Sequence, residues 1–356
     1  MKRNCKIMKL LIAILLLFVF VLPTYADDKL ENLIKRADSG EIEAQYNLGL
    51  MYSIYEGVPQ GCKEAFEWFE KAAAQGNVNA QHKLGCMYYY DEATHKNYSK
   101  AFEWFEKAAI QGNTDAQYHI GLMYSDGCAV YRNYKIAYEW FEKAAMLGNA
   151  DAQYYLGLIY YNGWGVPKNY KKAFEWYEKS AAQGLIYPQF NLGAMYCFGY
   201  GVNKDFNKAF EWFEKSAAQG DAKSIYLLAR LYYNGWGISK DYKKAFNLYE
   251  KAAMLGDVAS LCIISLMYFK GEIVSKDYIK ACAYSFVALR FSFRSNVHYV
   301  SVVEKKPVEN FEEIYVKLTA AQFNEANKLI KDILEKIKNN IKQQGTKTWR
   351  FRIPCE

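Results

Sequence analysis

One phrase recurs along this chain at a fixed spacing of 36 residues. The string KAFEWFEKSAAQG at 208–220 returns as KAFEWYEKSAAQG at 172–184 and as KAFEWFEKAAIQG at 100–112. Tyrosine also occupies the same position in seven successive units: Tyr52, Tyr88, Tyr124, Tyr160, Tyr196, Tyr232 and Tyr268. Repetition at this period predicts a stack of similar supersecondary units rather than several unrelated domains.

The fourth unit indicates that each repeat contains two helices. Asp151 is a suitable N-cap for the first helix, and the apolar residues on one face of that helix are Ala152, Leu156, Ile159 and Tyr160. The segment NGWGVPKN then breaks the pattern, because Gly163 and Gly165 can take positive φ. The second helix ends at Gly184, in the position of a C′ glycine. Its predicted inward-facing residues are Ala173, Trp176, Tyr177 and Ser180.

Packing between units is expected to dominate the stability of these short helices. The recurring Glu67–Lys71 type of pair predicts i, i+4 ion pairs, each worth only about 0.2–0.5 kcal/mol. Burying one tryptophan is worth roughly 4–6 kcal/mol as an upper estimate. A unit can cover both of its apolar faces only against its neighbours. The predicted fold is therefore all-α, a right-handed α/α superhelical solenoid of about seven 36-residue helix-turn-helix repeats with helical caps.

The repeats are predicted to fill residues 41–292, with other segments at both ends. Residues 27–40 read as an N-terminal capping helix, 293–318 as a connector, 319–344 as a C-terminal capping helix and 345–356 as a tail. Thr319 and Gln322 form a predicted capping box. The apolar face of the C-terminal helix contains Phe323, Ala326, Ile330, Ile333, Ile337 and Ile341. This face either covers the last repeat or binds a partner helix.

The first 26 residues are typical of a cleavable signal peptide. Basic residues precede an apolar run from Leu10 to Leu22, and Thr24 and Ala26 suit a cleavage site. The apolar run is too short to span a bilayer, so no membrane span is expected after cleavage. The predicted location is secreted or periplasmic. Cleavage lowers the net charge from +7 to +3, which does not favour a nucleic-acid partner.

The mature chain retains an odd number of cysteines. They are Cys62, Cys86, Cys128, Cys197, Cys262, Cys282 and Cys355. At least one thiol is therefore unpaired or available for an intermolecular disulfide. No two of these cysteines share a position in the repeat, so a repeated disulfide framework is not predicted.

The sequence contains no motif that predicts catalysis, a cofactor or a metal. His82 and His119 lie in successive first helices but one position out of phase, and no His-Glu-x-x-His or Cys-x-x-Cys spacing occurs. Cys197 has no recurrent histidine or asparagine beside it to activate its thiol. The predicted catalytic, cofactor-binding and metal-binding sets are therefore empty.

The fourth unit, DAQYYLGLIYYNGWGVPKNYKKAFEWYEKSAAQG, resembles the Sel-1-like repeat, a relative of the tetratricopeptide repeat. The marks are Ala-x-x-x-Leu-Gly-x-x-Tyr, Gly-x-Gly-Val, Lys-Ala-x-x-Trp and a closing Ala-Ala-x-x-Gly. The resemblance implies an exported bacterial protein of the envelope, of secretion or of host interaction. Some exported relatives are named β-lactamases, which makes β-lactam binding or hydrolysis an alternative. This chain has no Ser-x-x-Lys pair, and its cysteines do not recur at one position as theirs do.

In a helical solenoid the first helices line the concave side, where two columns rich in aromatic residues are expected to bind a partner. The first column contains Tyr46, His82, Tyr118, Tyr154, Phe190 and Tyr226. The second contributes Tyr89, Tyr161 and Tyr233. Tyrosine suits protein recognition because it combines a large contact area with a polar tip. The same residues can instead pack helix against helix between units.

The predicted function is that of a non-catalytic scaffold that binds a protein or peptide along this tyrosine-rich face. A purely structural component of the envelope is a further alternative. The sequence does not identify the partner.

Overall fold

The computed structural model describes residues 29–54, 59–90, 96–292 and 314–348. The predicted signal peptide, most of the connector and the end of the tail lie outside the described residues. The described part divides into unit 1, which ends at Asn149, and unit 2, which begins at Ala150. It consists of helices, turns and loops with no strand, so the all-α prediction is confirmed for these residues.

Unit 1 contains the first cap and three helix pairs. Its helices are α1 (29–38), α2 (Ile42–Ile54), α3 (Pro59–Ala74), α4 (Val78–Tyr90), α5 (Tyr98–Ile110), α6 (Thr114–Asp126) and α7 (Tyr134–Met146). Each first helix packs against the second helix of its own repeat, and that second helix packs against the next first helix. Apolar residues of α1, among them Leu33, pack on Leu48 of α2 and cover this end of the stack.

Unit 2 contains four helix pairs and a long C-terminal helix. Its helices are α8 (Ala150–Asn162), α9 (Tyr170–Ala182), α10 (Ile186–Phe198), α11 (Phe206–Ala218), α12 (Ala222–Asn234), α13 (Tyr242–Met254), α14 (Val258–Lys270), α15 (Tyr278–Ser292) and α16 (Ala320–Thr348). The packing order inside unit 2 is the same as in unit 1. The helical repeat fold of seven pairs was therefore predicted correctly from the 36-residue period.

In the first five repeats, a glycine in the middle of the first helix makes room for a buried aromatic ring of the second helix. A Cβ atom at Gly121 would lie 2.7 Å from ring atoms of Phe141, and one at Gly157 would lie 2.4 Å from those of Tyr177. The rings of this column are at most 2% exposed: Phe69, Phe105, Phe141, Tyr177, Phe213 and Tyr249. Since no real side chain tolerates such contacts without movement, the glycine sets the distance between the paired helices.

A buried glutamine in the first helix links neighbouring second helices inside each unit. Gln81 Nε2 donates to the Ala73 carbonyl at 3.2 Å, and its Oε1 accepts from Gln111 Nε2 at 2.8 Å. The amide thus bonds to the preceding repeat and to its own repeat. The other glutamine pairs at this position are Gln45–Gln75, Gln153–Gln183 and Gln189–Gln219. Because the amides are buried, these hydrogen bonds prevent a large desolvation cost.

Three local predictions from the sequence were wrong. Helix α8 begins at Ala150, so Asp151 lies in its first turn instead of capping it. Trp176 is only half-buried, whereas Tyr177 beside it is 1% exposed.

The predicted Glu–Lys pairs do not form among the described residues: Lys179 Nζ lies 4.1 Å from the Trp176 ring centroid instead. The same lysine–tryptophan contact recurs at 71–68, 107–104, 143–140 and 215–212. The lysine ammonium group therefore lies over the tryptophan ring in a cation–π contact.

Helix α16 packs against α15 and α13 at the end of unit 2. Its buried residues Ile330, Ile333 and Ile337 join the cluster of the last two repeats. The capping box is present, since Thr319 N donates to Gln322 Oε1 at 3.0 Å and Gln322 N to Thr319 Oγ1 at 3.3 Å. The helix runs to Thr348, four residues beyond the end predicted from the sequence.

Within the described residues, no helix has the length and apolar character needed to cross a bilayer.

Candidate functional site

The nine predicted contact residues lie on the first helices of their repeats. Unit 1 holds Tyr46, His82, Tyr89 and Tyr118, and unit 2 holds Tyr154, Tyr161, Phe190, Tyr226 and Tyr233. Tyr89 and Tyr118 are buried, at 2% and 7% exposed. The other seven are half-buried, so each presents part of its side chain to solvent.

The rings of the first column pack at a tilt against the buried aromatic rings of the same repeat. In all six repeats the two ring centroids are 5.8–6.0 Å apart. The pairs are Tyr46–Phe69, His82–Phe105, Tyr118–Phe141, Tyr154–Tyr177, Phe190–Phe213 and Tyr226–Tyr249. This contact joins the first helix to the second within one repeat. One side of each ring therefore stabilises the helix pair, and only the half-buried members of the column keep the other side for a partner.

The second column packs against the first residue of the following helix. Tyr161 meets Tyr170 edge to face with centroids 5.1 Å apart, and Tyr233 meets Tyr242 in the same way at 5.3 Å. Tyr89 repeats the contact with Tyr98 at 5.3 Å. Offset and edge-to-face pairs of this kind add to the stability of the fold. These tyrosines join the end of the first helix to the start of the second helix of their repeat.

Unit 2 contains an apolar cleft that the sequence did not reveal. It has a volume of about 260 Å³ and is lined by Cys197, Phe198, Lys204, Phe206, Phe213, Leu227, Arg230, Leu231 and Trp236. Phe198 is 64% exposed and Trp236 38% exposed, whereas Phe206 stacks on Trp236 at 5.4 Å. We call this site the unit 2 cleft.

Two cations and no carboxylate line the unit 2 cleft. The Arg230 guanidinium carbon lies 5.6 Å from the Trp236 ring centroid and 5.8 Å from that of Tyr226. Lys204 Nζ lies 4.6 Å from the Phe206 ring centroid. Among the described residues, no acidic side chain pairs with Arg230 within 4.0 Å. The cleft therefore combines an apolar floor with uncompensated positive charge.

The thiol of Cys197 lies in this cleft but is not an activated nucleophile. Burial raises its pKa to about 11, and the nearby charges of Arg230 and Lys204 only partly offset that effect. The group is a neutral thiol at pH 7, and a thiol is a much weaker nucleophile than a thiolate. Cys197 therefore serves as an apolar wall of the cleft.

A second feature lies in unit 1, where two histidines and a cysteine meet. His82 Nε2 and Cys86 Sγ are 3.4 Å apart on α4, and His119 of α6 lies beside them with its ring 5.3 Å from that of His82. Burial lowers the pKa of His82 to about 3 and that of His119 to about 4. Burial also raises the pKa of Cys86 to about 12. Both imidazoles are therefore neutral at pH 7.

The comparison with protein families shows to which family the chain belongs. The model of the Sel1 repeat matches it seven times, at residues 42–77, 78–113, 114–149, 150–185, 189–221, 222–257 and 259–285. The chain belongs to the Sel1 repeat family. Proteins of this family are commonly non-catalytic scaffolds for protein–protein interaction.

Two solved structures resemble this Sel1 repeat protein over most of their length. A Sel1 repeat protein from Oxalobacter formigenes is 31% identical, with a TM-score of 0.60, and the match covers 71% of this chain and 99% of that one. A protective antigen of uropathogenic Escherichia coli strains, with an SLR fold, is 26% identical with a TM-score of 0.53 and 91% of both chains covered. No curated protein matches the chain.

The sequence of this Sel1 repeat protein did not predict the unit 2 cleft or the cluster of His82, Cys86 and His119, for different reasons. Phe198, Phe206 and Trp236 lie at or near the turns, where we read only glycine and proline signals. His119 lies one residue after the first aromatic column, so a comparison by repeat position separated it from His82. The one available signal was that both histidines are unlike the residues at their positions in other repeats.

Proposed function

We propose that this Sel1 repeat protein is a non-catalytic scaffold that binds a peptide or protein, with the unit 2 cleft as its anchor site. The observation that carries the proposal is the pairing of an apolar cleft with two cations that no carboxylate of its lining neutralises. An exposed apolar patch beside charged groups is typical of a surface that contacts a partner.

The chemistry of the cleft defines the partner. An apolar side chain, aromatic or branched, fits beside Phe198 and Trp236. A carboxylate next to that side chain would meet Arg230 and Lys204, which lie at the same cleft. The expected partner is therefore an acidic segment with a large apolar anchor.

The half-buried tyrosines extend this surface along the first helices of unit 2. Tyr226 lies near Arg230 and keeps one side of its ring on Tyr249. Tyr154 keeps its ring on Tyr177 in the same way. Because these rings are already held in place, contacts with a partner cost little side-chain entropy.

A display experiment with defined peptides tests this function. Two random peptide libraries, one rich in Asp and Glu and one rich in Lys and Arg, each with a single apolar anchor, are selected on the purified mature chain. We expect enrichment from the acidic library only. Arg230→Glu and Trp236→Ala should each weaken the selected peptides by at least about tenfold, with helicity by circular dichroism unchanged.

Matched variants separate recognition from folding. Lys171→Glu makes the same charge reversal on an exposed residue of unit 2 outside the cleft, and it should leave binding unchanged. The double variant Tyr154→Phe with Tyr226→Phe keeps the ring contacts and removes the hydroxyls, of which that of Tyr154 bonds to Asn191 within the fold, so unchanged affinity there limits recognition to the ring faces. Selection of no acidic peptide, or binding that survives Arg230→Glu and Trp236→Ala, contradicts the proposal.

The same proposal places the mature protein outside the cytoplasm. It is supported by the basic start and short apolar run of residues 1–26, and by the description of a similar E. coli protein as a protective antigen. Expression of the full chain in a bacterium followed by N-terminal sequencing tests it. We expect the exported protein to begin at Asp27, and a chain that retains residues 1–26 in the cytoplasm contradicts export.

A further inference from the structure

The His82–Cys86–His119 cluster in unit 1 has the donors and the spacing of a metal site. His82 and Cys86 lie one turn apart on α4, with Nε2 and Sγ separated by 3.4 Å. His119 reaches them from α6, and the three potential ligand atoms all lie within 4.8 Å of one another. The structure thus brings three metal-binding side chains from two repeats to one place.

Both ring nitrogens of His119 are hydrogen-bonded, and a cation can replace only the bond at Nε2, which accepts from the Tyr90 hydroxyl at 3.1 Å. Its Nδ1 lies 2.7 Å from the backbone carbonyl oxygen of Asp115. A carbonyl oxygen can only accept, so Nδ1 carries the proton and Nε2 carries the lone pair. Metal-binding histidines commonly have this arrangement, because the bond to the carbonyl fixes the tautomer and the orientation of the ring.

The three residues are exceptions to the repeat pattern. His82 and His119 are the only histidines, and Cys86 the only cysteine, at their respective positions in the seven repeats. The position of Cys86 holds leucine in four other repeats: Leu50, Leu122, Leu158 and Leu266. Three separate departures from the repeat therefore converge on a single cluster. General stability does not require them, since the other repeats fold without them.

One of the three ligand distances already matches a tetrahedral zinc ion, and the other two are no more than 4.8 Å. Zn–N bonds of about 2.0–2.1 Å and Zn–S bonds of about 2.3 Å place neighbouring ligand atoms roughly 3.3–3.6 Å apart. The His82–Cys86 separation already has this value, and the remaining pairs must close by up to about 1.5 Å when the ion binds. Imidazole and thiolate are the ligands that zinc prefers.

We propose that unit 1 binds one Zn²⁺ through His82 Nε2, Cys86 Sγ and His119 Nε2. Cys86 binds as a thiolate, so one proton passes to solvent as the Zn–S bond forms. The fourth position faces the Tyr90 hydroxyl, which lies 3.1 Å from His119 Nε2 and belongs to a side chain that is 43% exposed. Either that oxygen or a water molecule completes the tetrahedron. The ion would tie the second repeat to the third.

Cobalt provides a direct spectroscopic test on the purified, metal-free mature chain. Co²⁺ in a tetrahedral site with a thiolate ligand gives an intense sulfur-to-metal charge-transfer band, and Zn²⁺ should abolish this band at one equivalent per chain. Cys86→Leu introduces the residue found at this position in other repeats, so it should fold normally and lose the band. We expect Cys86→Leu and His82→Tyr to bind Zn²⁺ at least about 100-fold more weakly.

Cys197→Ser is the matched control, because Cys197 is also a half-buried free thiol on a first helix. It should retain both the cobalt band and the affinity for Zn²⁺. Circular dichroism of the metal-free variants shows that each has folded. Absence of the cobalt band in the native chain, or its persistence in Cys86→Leu, overturns the site. Loss of the band in Cys197→Ser overturns it as well.

Discussion

Gln117 Oε1 is buried and has no hydrogen-bond partner, because Leu147 stands where four other repeats place a glutamine. In the second repeat the equivalent atoms, Gln81 Oε1 and Gln111 Nε2, are 2.8 Å apart. In the sixth repeat both residues of this pair are apolar, Ile225 and Leu255, so neither requires a hydrogen bond. The third repeat alone combines an amide with an aliphatic side chain.

Leu147→Gln should therefore stabilise the protein. The new amide would donate to Gln117 Oε1, and satisfying a buried acceptor is worth about 1 kcal/mol. Leu147 is 63% exposed, so little apolar contact is lost. Urea unfolding measures the change as a higher midpoint. Leu255→Gln, opposite Ile225, is the control and should give no gain; equal stabilisation by both variants would mean that the orphaned acceptor is not the cause.

Gly121→Ala should destabilise unit 1 although alanine is the better helix former. The added Cβ would lie 2.7 Å from the Phe141 ring, which is fully buried, and overpacking of this kind costs about 1–3 kcal/mol. Ala229 occupies the same position in the sixth repeat, so Ala229→Gly tests the opposite change and should cost at least about 1 kcal/mol, through helix propensity and the loss of a buried methyl group. Thermal unfolding followed at 222 nm measures both variants. A more stable Gly121→Ala protein would contradict the steric role of the glycine.

The lysines of the second helices should couple to tryptophan and not to glutamate. Lys107 Nζ lies 4.3 Å from the Trp104 ring centroid. A double-mutant cycle between Lys107 and Trp104 is expected to give about 0.5–1 kcal/mol of coupling. The cycle between Lys107 and Glu103 should give a value near zero. A larger coupling energy between Lys107 and Glu103 than between Lys107 and Trp104 would support the ion pair that the sequence predicted.

The C-terminal helix should contribute to unit 2 through its buried isoleucines. Ile337 is fully buried against the last repeats, so Ile337→Ala is expected to cost about 2–4 kcal/mol. Ile341 is four residues further along the same face but is 41% exposed, and Ile341→Ala should cost less than about 1 kcal/mol. Urea denaturation compares the two. Equal effects would show that α16 does not cover unit 2 as described.

Much of the fold could be predicted because the 36-residue period shows which residues are equivalent in successive repeats. The column from Tyr52 to Tyr268 fixed the period, and the glycines at 163 and 184 marked the ends of helices, where both have positive φ. The site was less predictable. Tyr118 and Tyr226 belong to one column of the sequence, yet the first is 7% exposed and the second is half-buried. Exposure depends on the neighbouring side chains of each repeat, which differ.

The sequence by itself determined the number of repeats, the two helices of each and the glycine signals at the ends of those helices. These features are local, since each follows from residues less than one period apart. Only the tertiary structure decided which unlike residues meet. His119 joins His82 and Cys86, and Phe198 joins Trp236, because stacking brings successive first helices side by side inside a unit. The physical reason is that residues at equivalent positions of the repeats are alike and maintain the common packing. A binding site is made of the residues in which the repeats differ.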